Sequence, residues 1–307
     1  MTIAAAQQYP DRPVRLVVGF AAGGSADTTA RVVAQKFSER WGQQVIVDNR
    51  AGAAGVIGMQ ITSKAPRDGY TLLIGSATQF TVGPALGAEQ SPYPPLTSFT
   101  PIAKMVVAPL VLTVHPSLPV RSFREFMRYA KAKSGKISYA STGIGTPNDI
   151  AMTLIARSGG FEVVHVPYKG GAEVIVAAVS GQVPIAIGSL VTAWPHIKNG
   201  KLRALAITEA KRLSSAPSLP TVAESGFPGF EVSQWYGLFG PADIPPAVTE
   251  KVGADLCAIL GASDVKARLD GQGLAVSFSG PAEFAAYVQA ESVRWTKLIR
   301  GLGIKPQ

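Results

Sequence analysis

The chain has 307 residues, about twice the length of an average domain, which favours an organisation in two domains. Apolar residues make up 47% of the chain and charged residues only 16%, and this composition excludes an intrinsically disordered protein. Lysine and arginine outnumber aspartate and glutamate by 29 to 20, so the chain attracts anions, although its charge indicates nothing about its fold.

The first third of the chain alternates short apolar strands with helices. Val14–Phe20 has the pattern of a strand that runs into the turn Ala21–Ser25 and then into a helix ending near Trp41. This alternation predicts parallel sheets that are covered by helices on both faces. Further strands are predicted at Val45–Val47, Thr71–Ile74 and Ile102–Val107, and a helix of small residues over Gly52–Ala65.

The same pattern repeats after Pro116. A helix over Ser122–Lys133 is followed by a strand at Ile137–Ala140, and the glycine-rich turn Ser141–Gly145 opens the next helix. Three helical patterns and one strand complete the chain, and the last helix begins at Pro281. Between these parts, strands are predicted at Val163–Val166, Val183–Ile187 and Arg203–Ile207, and helices at Ala172–Val179 and Trp194–Lys198.

Several other classes of protein are disfavoured. No apolar stretch approaches the roughly 18–20 residues that span a bilayer, so we expect a soluble chain. Cys257 is the single cysteine, which rules out an intrachain disulfide and a cysteine-based zinc site, and its apolar neighbours predict a small core residue. Residues 1–8 lack the basic and apolar regions of an intact signal peptide and are compatible with the stub of a removed leader.

The densest group of basic residues runs from Arg121 to Lys136. Its spacing is typical of the solvated face of one amphipathic helix, and contact with a polyanion is the alternative. Because nucleic-acid binding requires a concentrated positive surface, and the charge of this chain is otherwise diffuse, we do not expect a nucleic-acid partner.

Each half of the chain has a strand that runs into a glycine-rich turn and then a helix: Gly23–Asp27 in the first and Thr142–Thr146 in the second. Helix N-termini carry unpaired N–H groups and attract anions, and glycine lets a backbone approach a ligand closely. Either turn alone is compatible with an ordinary connection in which Ser25 or Thr146 caps the helix. Together they predict a cleft with a helix N-terminus on both walls.

A carboxylate suits these turns better than a phosphate. No lysine follows either turn, as a Walker A loop would require, and the dinucleotide fingerprint G-x-G-x-x-G fails because Asn148 stands at its last position. Nucleotide binding is therefore not expected.

Catalytic motifs are weaker. His115, His165 and His196 have no metal-site spacing, and no G-x-S-x-G elbow is present, so we expect neither a metal nor a cofactor. Asp27 and Asp149 both lie in the first turn of a predicted helix, where a carboxylate complements the helix dipole. Their alternative role is a general acid–base pair, which would make the protein an enzyme acting on a small carboxylate.

Short motifs occur in a characteristic order along nearly the whole chain. Their ordered set resembles the Bug (TctC-like) receptors, which are the extracytoplasmic solute-binding proteins of tripartite tricarboxylate transporters. The motifs are Tyr9–Pro13, Val14–Phe20, Gly23–Asp27, Val47–Gly52, Asp68–Leu72, Tyr139–Gly143, His165–Gly170, Lys201–Ala206, Pro220–Glu224 and Trp235–Gly237.

The resemblance implies an α/β protein with the two-lobe, type II-like periplasmic binding protein fold. Each lobe is expected to be a mostly parallel sheet flanked by helices, with the ligand cleft between the lobes. Residues 9–110 and 238–307 would form lobe 1 and residues 111–237 lobe 2, with crossovers near Val111–Val114 and Gln234–Leu238.

The resemblance also implies a function. The protein would be a periplasmic receptor and not an enzyme, and its signal peptide would be absent from this sequence. It would close its lobes around a small organic carboxylate, such as a dicarboxylate or an aromatic carboxylate, and deliver it to the membrane permease subunits of the transporter. A monomer without a cofactor is expected.

In the family, two turns act as pincers on a ligand carboxylate, which here assigns Ala22–Asp27 and Ser141–Thr146 to the site. Because open α/β sheets bind ligands at the carboxyl ends of their strands, further side chains are expected in the cleft. The residues expected to bind the ligand are Phe20, Ala22, Gly23, Gly24, Ser25, Ala26, Asp27, Ser76, Thr78, Gln79, Ser141, Thr142, Gly143, Gly145, Thr146, Asp149, Tyr168 and Ser189.

Four side chains near this site keep two interpretations each. Phe20 and Tyr168 either stack on a planar ligand or pack against the protein. Lys169 either neutralises a ligand carboxylate or lies at the surface. Trp235 either serves the hinge, which its place near a crossover favours, or lines the cleft.

Three positions depart from the family pattern. Asp149 stands where the family often has a histidine, and Pro184 and Gly188 stand where it usually has aspartate or a similar polar residue. A carboxylate at Asp149 would repel an anionic ligand at close range, so it either points away or accepts from a donor group of the ligand. We expect these positions to affect which ligand is bound.

Overall fold

The structure, a computed structural model, describes residues 9–87, 94–213 and 215–301, which form two β-sheets flanked by helices. Within these ranges no helix is both long and apolar enough to cross a membrane.

The larger sheet has six strands in the order β11-β4-β10-β3-β1-β2. Strand β1 pairs in parallel with β2 and β3, whereas β10 is antiparallel to β3 and β4, and β11 is antiparallel to β4. The strands are β1 (Val14–Val18), β2 (Val45–Asn49), β3 (Thr71–Ser76), β4 (Phe99–Ala108), β10 (Gln234–Pro241) and β11 (Ala275–Ser279).

The smaller sheet has five strands in the order β7-β6-β8-β5-β9. Strand β6 is parallel to β7 and β8, and β5 is antiparallel to β8 and β9. The strands are β5 (Leu110–Val114), β6 (Ser138–Ser141), β7 (Val164–Pro167), β8 (Ile185–Ser189) and β9 (Arg203–Ile207).

The chain passes between the two sheets at two places. Pro109 separates β4 from β5, and β10 starts at Gln234. The strand by which the chain enters each sheet from the other, β5 or β10, lies between two neighbours and is antiparallel to both. The two-sheet α/β architecture is thus confirmed, and its sheets are mixed because β5, β10 and β11 are antiparallel to their neighbours.

Sheet membership differs slightly from the predicted division at 110/111 and 237/238. Leu110 already pairs in the smaller sheet, and Gln234 to Gly237 pair in the larger one. The physical reason is that both crossings lie at the ends of strands and not within them. The division of the chain into two moving lobes stays a prediction.

Helices cover both sheets. Those associated with the larger sheet are α1 (Ser25–Trp41), α2 (Val56–Ser63), α3 (Gly83–Leu86), α4 (Pro95–Ser98), α9 (Pro246–Gly261), α10 (Ser263–Gly271) and α11 (Pro281–Gly301), with a 3-10 turn at Ala53–Gly55 and a π-helical turn at Thr78–Val82. Those of the smaller sheet are α5 (Phe123–Ala132), α6 (Pro147–Gly159), α7 (Gly171–Val179) and α8 (Leu190–Lys198).

Helix α5 has the amphipathic pattern that the sequence predicted. The hydroxyl of Ser122 caps its N-terminus by accepting from the N–H of Glu125 at 3.2 Å. Phe123, Phe126 and Ala130 are buried, and the basic residues from Arg121 to Lys136 are exposed, which confirms the predicted amphipathic helix. The prediction of a buried Cys257 is wrong, because this side of α9 faces solvent and the thiol is exposed.

One apolar cluster joins the two sheets. It contains Leu73 and Phe239 from the larger sheet together with Leu112 and Leu205 from the smaller one. Helix α11 begins at Pro281 as predicted, and it packs Phe284, Val288, Trp295 and Ile299 into this cluster. Two further clusters fill the opposite faces of the two sheets.

Candidate functional site

Two adjoining cavities lie between the sheets. The larger has a volume of about 580 Å³ and the smaller of about 40 Å³. Segments that follow strands of each sheet contribute to both linings, and Phe20, Thr78 and Thr142 line both cavities. The carboxyl ends of β1, β6 and β8 lead into these cavities, as expected for an open α/β sheet.

The first turn presents the N-terminus of α1 to the smaller cavity. Gly24 is the N-cap and no side chain caps the helix, and Gly24, Ser25 and Ala26 line the cavity. Asp27 points back into the turn, where its Oδ2 accepts from the N–H of Gly23 at 3.0 Å and from Nε of Arg31 at 2.9 Å. The first N–H groups of α1 therefore stand ready for an external acceptor.

The charge of Asp27 is stabilised by the turn. Burial raises the pKa of its carboxyl group, but the hydrogen bonds from Arg31 and from the N–H of Gly23 outweigh burial, and the pKa lies below its usual value. Asp27 is thus a carboxylate at neutral pH, and it stabilises the turn by accepting from the N–H of Gly23.

The second turn is held in the same manner. Asp149 Oδ2 accepts from the N–H of Gly145 at 2.8 Å, and Ser141 Oγ accepts from the N–H of Gly143 at 3.3 Å. Thr146 caps α6 by accepting from the N–H of Asp149. These glycine N–H groups are thus used by the protein itself, and Thr142 is the residue of this turn that reaches both cavities.

The N-terminus of α7 lies directly across from the first turn. Gly170 is its N-cap, no side chain caps the helix, and Gly170 and Gly171 line the smaller cavity. A Cβ added to Gly23 would lie 3.8 Å from the Cβ of Ala172. Tyr168 and Lys169 of this turn were predicted near the ligand, but Gly170 and Gly171 were not, although a strand that runs into paired glycines and then a helix is also the pattern of the first turn.

Polar side chains from both sheets surround the smaller cavity. Tyr236 Oη lies 2.7 Å from Ser25 Oγ, and Asn148 Nδ2 donates to the carbonyl of Ile187 at 3.0 Å. Gln234 is only 6% exposed, and its Oε1 has no partner among the described residues. Since a buried polar atom without a partner is costly, this cavity suits a polar occupant.

The wall of the larger cavity contains a left-handed loop. Gly52, Ala53, Ala54 and Gly55 have φ angles of 139°, 46°, 51° and 94°. Each alanine in this conformation costs roughly 1–2 kcal/mol, and such strain is commonly found at functional sites. The predicted helix over Gly52–Ala65 therefore starts only at Val56.

Gln79 holds this loop in place. Its Nε2 donates to the carbonyl of Gly55 at 3.0 Å, and its Oε1 accepts from Ser76 Oγ at 3.0 Å. A Cβ on Gly55 would lie 2.7 Å from Gln79 Nε2, so only glycine permits this approach. Ser76 and Gln79, which we expected to bind the ligand, thus hold the cavity wall, and Gln79 also lines it.

The structure brings ten of the predicted site residues to the two cavities and places eight elsewhere. Those that line a cavity are Phe20, Gly24, Ser25, Ala26, Thr78, Gln79, Thr142, Gly143, Tyr168 and Ser189. Those outside both linings are Ala22, Gly23, Asp27, Ser76, Ser141, Gly145, Thr146 and Asp149.

Ala22 is exposed, and Gly23 lines a separate cavity of about 430 Å³ between α7, α8 and α10. Lys169 lines the larger cavity, whereas Trp235 is fully buried in the apolar cluster that joins the sheets. Asn148, Gln234 and Tyr236 were not predicted, because their place beside the cavity depends on how the two sheets meet. Which of these residues contact a ligand stays a prediction.

One group of side chains is arranged in space like a catalytic triad: Ser141, His165 and Asp149. His165 Nε2 lies 2.7 Å from Ser141 Oγ, and His165 Nδ1 lies 3.5 Å from Asp149 Oδ1. Ser141 is completely buried, however, and lines neither cavity, so a substrate does not reach its hydroxyl in this arrangement. Among the described residues, no group of three or more His, Cys, Asp or Glu side chains is placed to hold a metal ion.

Comparisons with known proteins agree with this geometry. Residues 29–304 match the family model of the tripartite tricarboxylate transporter family receptor. A UPF0065 protein from the tcbD-tcbE intergenic region of Pseudomonas sp. (strain P51) is 37% identical over 292 residues, which cover 95% of this chain and 86% of the relative.

Solved structures are similar over nearly the full chain. The periplasmic binding protein BugD has a TM-score of 0.92 and 34% identity, with 97% of this chain and 100% of that chain covered. An R. palustris protein solved with adipate has a TM-score of 0.94 and 33% identity, with the same coverage. The chain therefore belongs to the tripartite tricarboxylate transporter receptor family.

Proposed function

We propose that this protein is an extracytoplasmic solute-binding receptor that captures a small organic carboxylate by closing its two lobes. The observation that carries the proposal is the smaller cavity, where the uncapped N-termini of α1 and α7 face each other from different sheets. Both ends offer N–H donors and partial positive charge to the same anion. Gln234 lies beside them, and its unpartnered amide oxygen would accept from a bridging water or a ligand hydroxyl and not from the carboxylate itself.

The sizes of the cavities support a ligand with two parts. A volume of about 40 Å³ accommodates a group the size of a carboxylate or a single water molecule. The larger cavity of about 580 Å³ would take the body of the ligand. Phe20, Val56, Ile144 and Tyr168 line it with apolar surface, which suits the chain of a dicarboxylate or the ring of an aromatic carboxylate.

Magnitudes indicate that closure is part of binding. One helix terminus contributes about 0.3–1 kcal/mol, or about 2 kcal/mol when partly buried. A micromolar ligand requires about 8 kcal/mol. Two termini fall short of this value, so direct hydrogen bonds from both lobes must supply the rest, and both lobes bond to one ligand only when they are closed.

The family supports the remaining parts of the proposal. The receptor would act in the periplasm and deliver its ligand to the membrane permease subunits of a tripartite transporter, as its family membership and its likeness to BugD suggest. The adipate of the R. palustris neighbour makes a C6 dicarboxylate the first ligand to test.

The alternative is an enzyme that uses Asp27 and Asp149 as acid and base. Both carboxylates are bound to backbone N–H groups inside their turns, and neither lines a cavity. General acid–base catalysis requires a side chain within hydrogen-bond reach of the substrate, so this geometry favours the receptor.

A thermal-shift screen tests the proposal. The protein is unfolded and refolded to remove retained ligand, then heated with C4–C6 dicarboxylates, citrate, glutamate, aspartate, nicotinate, benzoate and terephthalate. A ligand at about 100 times its Kd stabilises by about 2.7 kcal/mol, which raises Tm by several degrees. We expect one class of carboxylate to do so and to be recovered chemically unchanged. A flat panel contradicts the proposal, and chemical conversion favours the enzyme.

A proline substitution tests the α7 donors directly. Gly171→Pro removes an N–H group at the first helical position, where proline is well tolerated and where the extended Gly170 before it suits proline. We expect affinity for the best carboxylate of the panel to fall at least about tenfold, the loss of one good hydrogen bond to a charged group. Ser263→Pro makes the same change at the start of α10 and should leave affinity unchanged.

A further inference from the structure

In both turns a carboxylate accepts from a glycine N–H and lies beside a basic side chain, and the basic residue differs between the two turns. In the first, Asp27 accepts from the N–H of Gly23 and pairs with Arg31 at 2.9 Å. In the second, Asp149 accepts from the N–H of Gly145, and its basic neighbour is His165, whose Nδ1 lies 3.5 Å from Asp149 Oδ1. Arginine is always charged, whereas histidine changes its charge near neutral pH. The second turn is therefore the one whose charge can change.

His165 contacts the second turn at two points. On one side its Nδ1 faces Asp149, which holds the N–H of Gly145. On the other side its Nε2 lies 2.7 Å from Ser141 Oγ, which accepts from the N–H of Gly143. The imidazole thus connects the two side chains that hold both glycines of the turn.

The surroundings of the ring are well defined. Tyr139 from β6 stacks on it with a centroid distance of 4.8 Å and donates its hydroxyl hydrogen to Asp149. Among the described residues, Tyr139 and Asp149 are the titratable groups that face the ring, and Asp149 is the charged group that acts on it. Burial lowers the pKa of His165, and Asp149 opposes this effect.

We propose that His165 is a positioning residue for the anion site and that it takes up a proton when a carboxylate binds there. This inference rests on the proposed function. With neutral His165, no cationic side chain among the described residues pairs with Asp149, so the second turn keeps a net negative charge that repels an arriving anion. A proton on His165 compensates that charge. By linkage, a bound carboxylate must then stabilise the protonated ring to the same extent that protonation strengthens binding.

The hydrogen bonds allow both states of the ring. Neutral His165, with its proton on Nδ1 toward Asp149, accepts at Nε2 from the hydroxyl of Ser141. In the protonated ring Nε2 donates to Ser141 Oγ, and the hydroxyl hydrogen turns to the carbonyl of Gly143, which lies 3.3 Å away. Protonation therefore reverses one hydrogen bond next to Gly143 without leaving a buried group unpaired.

NMR titration of the full chain tests the positioning role without a ligand. We expect the ring resonances of His165 and the backbone amides of Gly143 and Gly145 to titrate with one midpoint. The amide of Gly23 serves as the matched control, because its acceptor Asp27 is paired with Arg31, and it should not move over the same range. Glycine amides that ignore the titration of His165 would overturn the positioning role.

Adipate then tests proton uptake. At about 10 mM adipate we expect the midpoint of His165 to rise by at least about 0.5 pH units, which corresponds to a threefold gain in proton affinity. In His165→Gln the amides of Gly143 and Gly145 should no longer titrate. The affinity for adipate should lose its dependence on pH around the midpoint of His165, since burial lowers the pKa of that ring below its usual value of about 6.5.

Two outcomes separate this inference from the proposed function. If adipate shifts the amide of Gly171 but leaves the midpoint of His165 unchanged, the receptor binds and proton uptake is overturned. If adipate shifts no amide, the proposed function fails for adipate and proton uptake fails with it, while the ligand-free titration still decides the positioning role.

Discussion

A Cβ atom on Gly170 would lie 3.2 Å from the Cβ of Ala21, although the two residues belong to turns that follow strands of different sheets. Ala21 precedes α1 and Gly170 precedes α7, and both residues line the smaller cavity from opposite sides. The absence of a side chain at Gly170 therefore determines how closely the two walls approach each other.

A larger residue at this position should keep the walls apart. Gly170 has a φ of −166°, which any residue adopts, so Gly170→Val adds bulk without straining the backbone. We expect the affinity for the best carboxylate of the panel to fall at least about tenfold, a loss of about 1.4 kcal/mol. Isothermal titration calorimetry measures this loss.

Gly261→Val is the control for that experiment, because a Cβ on Gly261 meets open space. Its affinity should match that of the unchanged protein, and both variants should melt within a few degrees of it. Full affinity in Gly170→Val would show that the two walls do not need to meet.

Removal of the carboxylate of Asp27 should loosen the first turn. Asp27→Ala takes the acceptor from the N–H of Gly23 and the partner from Arg31, and a hydrogen bond to a charged group is worth about 1.5–3 kcal/mol. Urea unfolding at pH 7 should show a loss of this size. Asp27→Asn keeps an acceptor oxygen and should lose less.

The pH dependence of this effect has a definite sign. Because the pKa of Asp27 is lowered in the folded protein, its contribution is present above the unfolded value of about 3.9 and is lost as pH falls through the folded value. The difference between the unchanged protein and Asp27→Ala should therefore persist from neutral pH to about pH 5 and shrink in stronger acid. A difference that disappears already at pH 6 would contradict the assignment.

Glu209 should make the protein less stable as pH rises. Its Oε2 accepts from Ser233 Oγ at 2.6 Å, and its buried Oε1 has no partner among the described residues. Burial is the main reason that its pKa rises to about 7, with Glu231 adding to the effect and Lys104 opposing it. A raised pKa means that the folded state holds the proton more tightly, so stability falls between about pH 4.3 and pH 7 and is constant above.

The expected loss is about 3.5 kcal/mol, and it is measured by urea unfolding at several pH values. Glu209→Gln should remove this slope and be more stable than the unchanged protein at pH 8. Glu250→Gln changes an exposed glutamate on α9 and should preserve the slope. A slope that survives in Glu209→Gln must belong to another group.

Phe80 connects stability with the site. It is fully buried and stacks on Phe239 with a centroid distance of 3.8 Å, and it belongs to the turn that presents Thr78 and Gln79 to the cavities. Phe80→Ala should cost about 3–5 kcal/mol of stability and should also weaken carboxylate binding. Phe126→Ala, in the buried face of α5, should cost a similar amount and leave affinity intact.

Local patterns predicted the parts of this fold that depend on neighbouring residues. The strand, turn and helix around Gly24 are present as predicted, and so is the buried face of α5. The role of Asp27 was less accessible, because a carboxylate in a first helical turn can accept either from a ligand or from its own turn. The N–H of Gly23 decides between them, and its direction depends on the left-handed φ of 82° at that glycine.

Other features depend on contacts between distant segments. The unpartnered Oε1 of Gln234 depends on the position of β10 between β3 and β4. The residues next to Gln234 in sequence do not predict a polar cavity beside it. Cys257 was misplaced for a simpler reason. Apolar residues surround it in sequence, but Cys257 shares the exposed side of α9 with Ala254 and Gly261, which lie three and four positions away.

The apolar cluster that contains Leu73, Phe239, Leu112 and Leu205 affects how cooperatively the chain unfolds. A receptor whose two lobes move as rigid bodies can still unfold in a single step. Unfolding of one sheet would expose its side chains in that cluster and, with them, the side chains of the other sheet that pack against them. Calorimetry should then record a single cooperative transition, with or without ligand. A carboxylate held between the lobes would protect the entire chain from unfolding, including strands that never touch it.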